Sequence, residues 1–290
     1  MTRKAKRLIA LNKLFPLPVH PFNTQAEGKM SYARWQFEKG EETLRSYHGF
    51  ADTKTIVGGK NVLDVGCGAG GKSLYYVTQG ARSVTGIDIL PQYAEESAAL
   101  AEELSIDGFT FYCKDAAKTD FANDSFDTII MNDSMEHVGD PAGVLAEMAR
   151  VLAPGGRLYI NFPPYNHPFG AHLSDAIGIP WVHVFFSDAT LIEAYKELVK
   201  NKPDGEERVK FRISKNENGE EYFSYINKMS IKRFNALRKD VPLRTAYYSE
   251  MPLRGFLRPL CFGGLKEYFV KRVVCVFEKD SEIEKNKNGL

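Results

Sequence analysis

The chain has 290 residues, with 38 Lys and Arg against 37 Asp and Glu and a formal net charge of +1. A chain of this length can bury a substantial core, and its balanced charge lacks the basic field typical of nucleic-acid-binding proteins. Its four cysteines form no C-x-x-C pair and it has no apolar run of about 18 residues, so we predict a cytoplasmic protein without a membrane span.

The first segment is basic, because five Lys and Arg residues precede the first acidic residue, Glu27. Such a segment could be a transit peptide or a surface anchor. Pro16, Pro18 and Pro21 interrupt it, however, so we predict a frayed basic arm over residues 1–28.

A helical segment rich in aromatic side chains is predicted for residues 29–57. Gly58 and Gly59 separate it from the next apolar run. Trp35 and Phe37 are expected to pack against the core of the domain.

The stretch VLDVGCGAGG predicts a buried strand that runs directly into a glycine-rich turn. Gly66, Gly68 and Gly70 permit positive φ angles and a close approach of ligand. The stretch also satisfies G-x-G-x-x-G, which by spacing alone fits a nicotinamide or flavin nucleotide. Asp64 distinguishes between the possible cofactors. The pyrophosphate of a dinucleotide is bound by N–H donors, whereas the Asp64 carboxylate suits a ligand with a cationic amino-acid end. S-adenosylmethionine is therefore the predicted cofactor.

Four further strands are predicted at the spacing of βαβ crossovers, over residues 83–88, 109–116, 125–133 and 157–162. Asp88 ends the second strand and can accept hydrogen bonds from both ribose hydroxyls in either nucleotide fold. Asp115 ends the third strand and could accept the adenine amino group. A helix through Arg150 follows the fourth strand.

The alternation breaks at Pro163, where a segment rich in proline and aromatic residues begins. It predicts an insertion that contains a helix up to Val199, a solvated loop or hairpin over residues 201–221, and a short helix capped by Ser230. The last two core strands are predicted at residues 243–248 and 270–278.

Several of these motifs, in this order, resemble the class I S-adenosylmethionine-dependent methyltransferase family over about residues 55–165. The resemblance implies a doubly wound, seven-stranded, mostly parallel sheet with an N-terminal helical cover over the cofactor cleft and an insertion after strand five. It implies methyl transfer and says almost nothing about the acceptor. The implied division of the chain is an arm at 1–28, a cover at 29–57, a cofactor-binding core at 58–164, an insertion at 165–240, the last strands at 241–280 and a flexible tail at 281–290.

The cofactor-binding residues are predicted to be Asp64, Gly66, Gly68, Gly70, Asp88, Ile89, Asp115, Ala116 and Asn132.

Methyl transfer needs a general base when the acceptor is a phenol, an alcohol or a protonated amine. Ligands of open α/β sheets bind beyond the carboxyl ends of the strands, so the candidate bases are His137, His167 and His183. Residues 163–186 are expected to form the acceptor pocket. His167, His172, Asp175 and His183 could in principle hold a metal, but their proline-broken segment does not pre-arrange ligands, so no metal is predicted.

The predicted activity is methyl transfer to an oxygen or nitrogen atom of a small aromatic or amphipathic metabolite. One alternative is carbon methylation of a quinone or lipid precursor, and another is a cofactor-binding subunit without catalysis. No nucleic-acid partner is expected, and the oligomeric state stays open.

Overall fold

The computed structural model describes residues 1–281, so the predicted tail lies outside the described residues from residue 282 onward. The chain forms two compact units. The sheet unit comprises Tyr32–Phe162, Ile231–Met251 and the residues from Arg272; the insertion unit comprises Met1–Ser31, Pro163–Ser230 and Pro252–Lys271.

The strands of the structure are β1 (Asn61–Val65), β2 (Ser83–Asp88), β3 (Phe109–Cys113), β4 (Phe126–Asn132), β5 (Leu152–Phe162), β6 (Ile213–Lys215), β7 (Glu221–Phe223), β8 (Arg244–Pro252) and β9 (Val270–Glu278). The α-helices are α1 (Arg3–Asn12), α2 (Pro21–Ala26), α3 (Tyr32–Glu38), α4 (Gly40–Arg45), α5 (Thr53–Val57), α6 (Gly71–Thr78), α7 (Tyr93–Leu104), α8 (Pro141–Val151), α9 (Val182–Phe185), α10 (Asp188–Val199), α11 (Gly205–Arg212), α12 (Ile231–Leu237) and α13 (Lys266–Phe269). Two 3-10 helices cover Gly255–Leu260 and Gly263–Leu265. None of the helices within residues 1–281 has the length and apolarity needed to cross a bilayer.

The main sheet has seven strands in the order β3-β2-β1-β4-β5-β9-β8, which confirms the predicted fold class. Strands β1 to β5 pair in parallel, and β9 runs antiparallel to β5. The interior strands are apolar on both faces, as parallel strands covered by helices must be; Leu63 and Ile129, which lie side by side, are fully buried. The strand order reverses between β1 and β4, and such a switch point opens a crevice at the carboxyl ends of these strands.

The predicted aromatic cover is broken into shorter helices. α3 ends at Glu38 and α4 begins at Gly40, whose backbone lies against the Tyr75 ring of α6. A Cβ at Gly40 would come within 2.3 Å of a ring carbon, so this close contact requires glycine. This contact holds α4 against α6, directly after α3 ends.

The prediction of a frayed N-terminal arm is wrong for residues 3–12. They form α1, whose N-terminus is capped by Thr2 and whose Ala5 and Leu8 are fully buried. α1 packs along α10 within the insertion unit. The apolar positions of this short helix outweigh its basic character, because the charges occupy the opposite, exposed face.

The polar stretch after α10 is a hairpin only in its second half. Strands β6 and β7 pair antiparallel around Gly219, whose φ is 79°. The first half contains the helix α11, where the sequence predicted a solvated loop or hairpin. Arg208 and Arg212 lie one turn apart on α11, are each 2% exposed, and bind the fully buried Asp175 with N–O distances of 3.0 and 3.2 Å. The charges of these two arginines and of Asp175 are buried together. The polar composition of this stretch therefore reflects a buried ion cluster, and not a solvated loop.

Candidate cofactor site

The glycine turn that follows β1 is built on left-handed backbone. Gly66, Gly68 and Gly70 have φ angles of 69°, 56° and 74°, which a side chain would disfavour. The Gly66 and Cys67 amides donate to the Ile87 carbonyl at 2.9 and 3.1 Å, so the turn is tied to the neighbouring strand β2. The predicted turn is thus hydrogen-bonded to the sheet through its own backbone.

Helix α3 sits directly on the end of this turn. The Gln36 amide spans it, because its Nε2 donates to the Cys67 carbonyl at 3.2 Å and its Oε1 accepts from the Gly71 amide at 3.3 Å. A Cβ at Gly71 would lie 1.9 Å from the Ala33 carbonyl oxygen. This glycine, the last of the G-x-G-x-x-G pattern, is therefore needed for contact with a helix.

Asp64 lies at the end of β1 and is 3% exposed. Its Oδ2 accepts a hydrogen bond of 2.6 Å from the Ser73 hydroxyl, and its Oδ1 accepts none from residues 1–281. Burial raises the pKa of Asp64 to about 6, against the smaller opposing effect of the Ser73 hydrogen bond. The carboxylate is a buried group that a bound cation would stabilise.

Asp88 ends β2 on the other side of the turn. Its Oδ2 accepts from the Gly68 amide at 2.9 Å and its Oδ1 from the Leu90 amide at 3.1 Å. Burial raises the pKa of this carboxyl group. Each oxygen keeps a further lone pair, so Asp88 can hold the turn and still accept two hydroxyls. Ile89 presents a side chain that is 69% exposed beside this carboxylate.

Asp115 and Ala116 follow β3 at the same edge of the sheet. Asp115 is exposed, and its Oδ1 accepts from the Ala117 amide at 2.9 Å. This bond fixes the carboxylate in a short turn, and its position is compatible with the predicted contact to an adenine amino group.

The Asn132 side chain is committed to a buried network. Its Oδ1 accepts from the Tyr47 hydroxyl at 2.6 Å, and its Nδ2 donates to the Tyr76 hydroxyl at 2.9 Å. Asn161 of β5 donates to the same Oδ1 and to Tyr47, and Arg272 of β9 donates to Asn161. Both ends of the Asn132 side-chain amide are therefore occupied within the protein. Cofactor binding by Asn132 stays a prediction, and it would have to use the backbone of this residue.

Two residues directly after β4 were missed by the sequence reasoning. Asp133 has a φ of 50°, a left-handed turn, and its carboxylate binds Arg272 at 3.0 Å. Ser134 is 4% exposed, and its hydroxyl makes no hydrogen bond within the described residues. A Cβ at Gly66 would lie 2.7 Å from the Ser134 Cβ, so this unsatisfied hydroxyl is beside the glycine turn. The detectable signal was its position past β4 at the switch point.

Two tyrosines also belong to the site and were not predicted. The rings of Tyr32 and Tyr93 lie 5.9 Å apart, and the Tyr32 hydroxyl is 3.4 Å from where a Cβ would stand at Gly68. Burial, with a smaller contribution from Asp88, raises the pKa of Tyr32. Tyr32 shares a face of α3 with Gln36, one turn further on, and this spacing was the available signal.

The candidate base His137 lies in the sheet unit. Its Nε2 is 3.9 Å from Oε1 of Glu136, which is 3% exposed. Burial raises the pKa of the Glu136 carboxyl group well above its usual range, and the nearby Asp133 adds to this. The two residues form a carboxyl–imidazole pair at the carboxyl end of β4.

His167 and His183 lie in the insertion unit. Nδ1 of His167 accepts from the Phe169 amide at 3.2 Å. The His183 ring packs 4.8 Å from the Tyr165 ring, and burial lowers the pKa of His183 to about 4. His183 is therefore uncharged at neutral pH.

The aromatic residues in and beside segment 163–186 have different environments. Phe162 is fully buried with its ring 4.9 Å from that of Phe234, and so belongs to the core of the sheet unit. Phe185 is 73% exposed. Asp175, one of the residues weighed as a metal ligand, instead has its carboxylate occupied by two arginines and by the Tyr195 hydroxyl.

Residues 63–160 match a family model described as a methyltransferase domain. The chain is 36% identical over 121 residues to the tocopherol O-methyltransferase of Arabidopsis thaliana, covering 41% of this chain and 34% of that protein. It is 31% identical over 133 residues to the ubiquinone biosynthesis O-methyltransferase of Coxiella burnetii, covering 46% of this chain and 55% of that protein. The matches thus span about one third to just over half of these relatives.

Solved structures agree on the fold. An S-adenosylmethionine-dependent methyltransferase from Methanosarcina mazei aligns with a TM-score of 0.52 and 21% identity, over 82% of this chain and 98% of its own. The [4+2]-cyclase SpnF aligns with a TM-score of 0.55 and 15% identity, over 94% and 96%. Because one of these proteins is named for a cyclisation, the fold alone does not define a reaction.

The contact between α3 and the glycine turn predicts the effect of one methyl group. Gly71→Ala must push Ala33 away, and we expect a loss of about 1–3 kcal/mol of stability and at least about tenfold weaker binding of S-adenosylmethionine. Thermal unfolding and calorimetry measure the two effects. Gly139→Ala is the matched control, because a Cβ there meets nothing within 4 Å. Wild-type behaviour of both variants would contradict the described contact.

Proposed function

We propose that this chain, a member of the class I S-adenosylmethionine-dependent methyltransferase family, transfers a methyl group to an oxygen or nitrogen atom of a small aromatic or amphipathic molecule. One observation carries the proposal. The buried carboxylate of Asp64 and the half-buried carboxylate of Asp88 flank a turn of left-handed glycines at the switch point of the sheet. This is an arrangement for a ligand with one cationic end and a ribose, and it is unfavourable for a pyrophosphate.

The donors and acceptors of the site fit S-adenosylmethionine. Asp64 has a free carboxylate oxygen for the ammonium group, and Asp88 has lone pairs for the ribose hydroxyls. The unsatisfied Ser134 hydroxyl offers a donor beside the turn, and the exposed Ile89 side chain offers an apolar surface for the adenine. When bound, the cofactor supplies a methyl group activated by a positively charged sulfur. The residues of the chain hold it in place.

Removal of the acceptor proton is the step that needs a side chain, and we assign it to His137. The acceptor hydroxyl gives its proton to the imidazole, whose Nε2 lies 3.9 Å from Oε1 of Glu136. His167 is less suited, because Nδ1 accepts the Phe169 amide and the neutral ring then carries its proton on Nε2. His183, with a pKa of about 4, is a weak base.

The aromatic segment 163–186 is the proposed acceptor-binding element. Its support is the concentration of rings around an uncharged histidine, with Tyr165 and His183 in contact. The names of the Arabidopsis and Coxiella relatives specify O-methylation, which favours a phenolic oxygen over carbon methylation of a quinone or lipid precursor.

A transfer assay tests the function directly. The protein is incubated with S-adenosylmethionine labelled in its methyl group and a panel of phenols, catechols, amines and quinols. We expect label in at least one hydroxyl- or amine-bearing acceptor. Tight binding of the cofactor without transfer to any member of the panel would favour the non-catalytic subunit instead, and heat of binding with NAD alone would remove the proposal altogether.

The raised pKa of Asp64 predicts how binding depends on pH. The ammonium end of the cofactor favours the ionised carboxylate, so affinity should fall by up to about tenfold per pH unit below pH 6, where Asp64 takes up a proton. Calorimetry between pH 5 and about pH 8 measures this. Asp64→Asn should bind weakly with a flatter profile, whereas Asp88→Asn, which loses ribose contacts, should keep the slope. The same slope in Asp64→Asn would assign the titration to another group.

The base assignment predicts a separation of turnover from binding. His137→Gln should lower kcat by about 10²- to 10⁴-fold while cofactor affinity stays near wild type, because a base acts on the acceptor proton. His183→Gln should chiefly raise KM for the acceptor. The exposed His48, whose one side-chain partner within residues 1–281 is Thr53, gives the control variant His48→Gln. A large loss of kcat in His183→Gln or His167→Gln, with His137→Gln active, would move the base to the insertion unit.

A further inference from the structure

The segment between β8 and β9, residues 253–269, exposes an unusual amount of apolar surface. Phe256 is 79% exposed, Phe262 71% and Leu265 55%. Large apolar side chains occur singly on most protein surfaces, but a group of them within ten residues marks a site of interaction. The segment lies wholly in the insertion unit.

The exposure is not that of a loose chain, because the base of the segment is fixed. The Leu253 amide donates to the Phe269 carbonyl at 2.8 Å, and the Cys261 thiol also contacts that carbonyl at 3.5 Å. The Trp181 indole donates to the Tyr268 carbonyl at 3.3 Å. The apolar tip is therefore held outward on 3-10 turns that are tied at their ends.

The segment is also cationic. Residues 253–269 hold three basic residues, Arg254, Arg258 and Lys266, and one acidic residue, Glu267. Asn166 donates to that carboxylate at 3.1 Å. Arg254 and Arg258 are exposed, and their side chains have no ion-pair partner in the part of the chain that the structure describes. Aromatic tips flanked by free guanidinium groups are complementary to a surface that is apolar inside and anionic outside.

We propose that residues 253–269 dock the protein on an anionic lipid surface. Phe256, Phe262 and Leu265 enter the boundary between headgroups and acyl chains, and Arg254 and Arg258 bind the anionic headgroups. This docking is separate from methyl transfer and does not depend on it.

The basic helix α1, whose composition raised the alternative of a surface anchor, does not fit this role. Its Ala5 and Leu8 are fully buried against the insertion unit, so its apolar face is already covered. Its cations can add to the attraction, but it has no apolar face left to insert. We therefore assign the docking surface to residues 253–269, a segment that has no amphipathic helical pattern in the sequence.

Sedimentation with vesicles tests the proposal on the full chain, without cofactor or acceptor. The vesicles contain phosphatidylcholine alone or mixed with phosphatidylglycerol. We expect at least about tenfold stronger partitioning onto the anionic vesicles, decreasing as salt is added. Phe256→Ser with Phe262→Ser should weaken partitioning by about tenfold or more on the anionic vesicles. Arg254→Gln with Arg258→Gln should weaken it by about tenfold on anionic vesicles and little on neutral ones.

The matched control removes equally exposed apolar side chains elsewhere in the same unit. Leu14 and Val19 are 77% and 88% exposed, so Leu14→Ser with Val19→Ser should partition like wild type. Equal partitioning of all variants, or none by wild type, overturns the proposal. So does a dimer in sedimentation equilibrium that the phenylalanine variant loses, since a second copy would then cover the segment. Calorimetry with S-adenosylmethionine on the same samples separates a failure of docking from a failure of the proposed cofactor site.

Discussion

The contact of helix α3 with the glycine turn is the constraint on which the cofactor site depends. Gly71 has no Cβ, so the Ala33 carbonyl can lie on it, and Gln36 then bonds to both sides of the turn. This contact sets Tyr32 over Gly68. A turn that is clamped in this way presents its carboxylates and amides in one arrangement, and a ligand need not order them when it binds.

That arrangement places carboxyl groups where burial disfavours their charged form. Asp64 and Asp88 are both drawn toward the protonated state by burial, and each is only partly offset by the hydrogen bonds it accepts. A bound cation and a pair of hydroxyls would satisfy groups that the protein alone leaves under-satisfied. The same edge of the sheet holds the buried Glu136 beside His137, so the groups suited to cofactor and to chemistry are concentrated where the strand order reverses.

Local patterns could be predicted from sequence, and tertiary contacts could not. The strand, the glycine turn and the terminal carboxylate lie within a few residues of one another, so the positions of Asp64 and Asp88 followed from spacing, whereas the seven-stranded sheet followed from the family resemblance. Gln36 and Ser134 contact the glycine turn from segments distant in sequence, so only their positions, one turn after Tyr32 on α3 and directly after β4, could have indicated them. Helix α11 was missed for a related reason: Arg208 and Arg212 resemble a solvated face until Asp175 is seen to be buried between them. The commitment of the Asn132 amide to two tyrosines was invisible for the same reason.

Amide hydrogen exchange with and without S-adenosylmethionine tests where the cofactor binds, because it reports on each segment of the unmodified chain. We expect the cofactor to slow exchange at the glycine turn, at residues 88–90 and at the N-terminal end of α6, in the segments that the carboxylates and Gln36 hold together. Slowed exchange elsewhere in the chain, with the glycine turn unchanged, would contradict the assignment of the cofactor to this site.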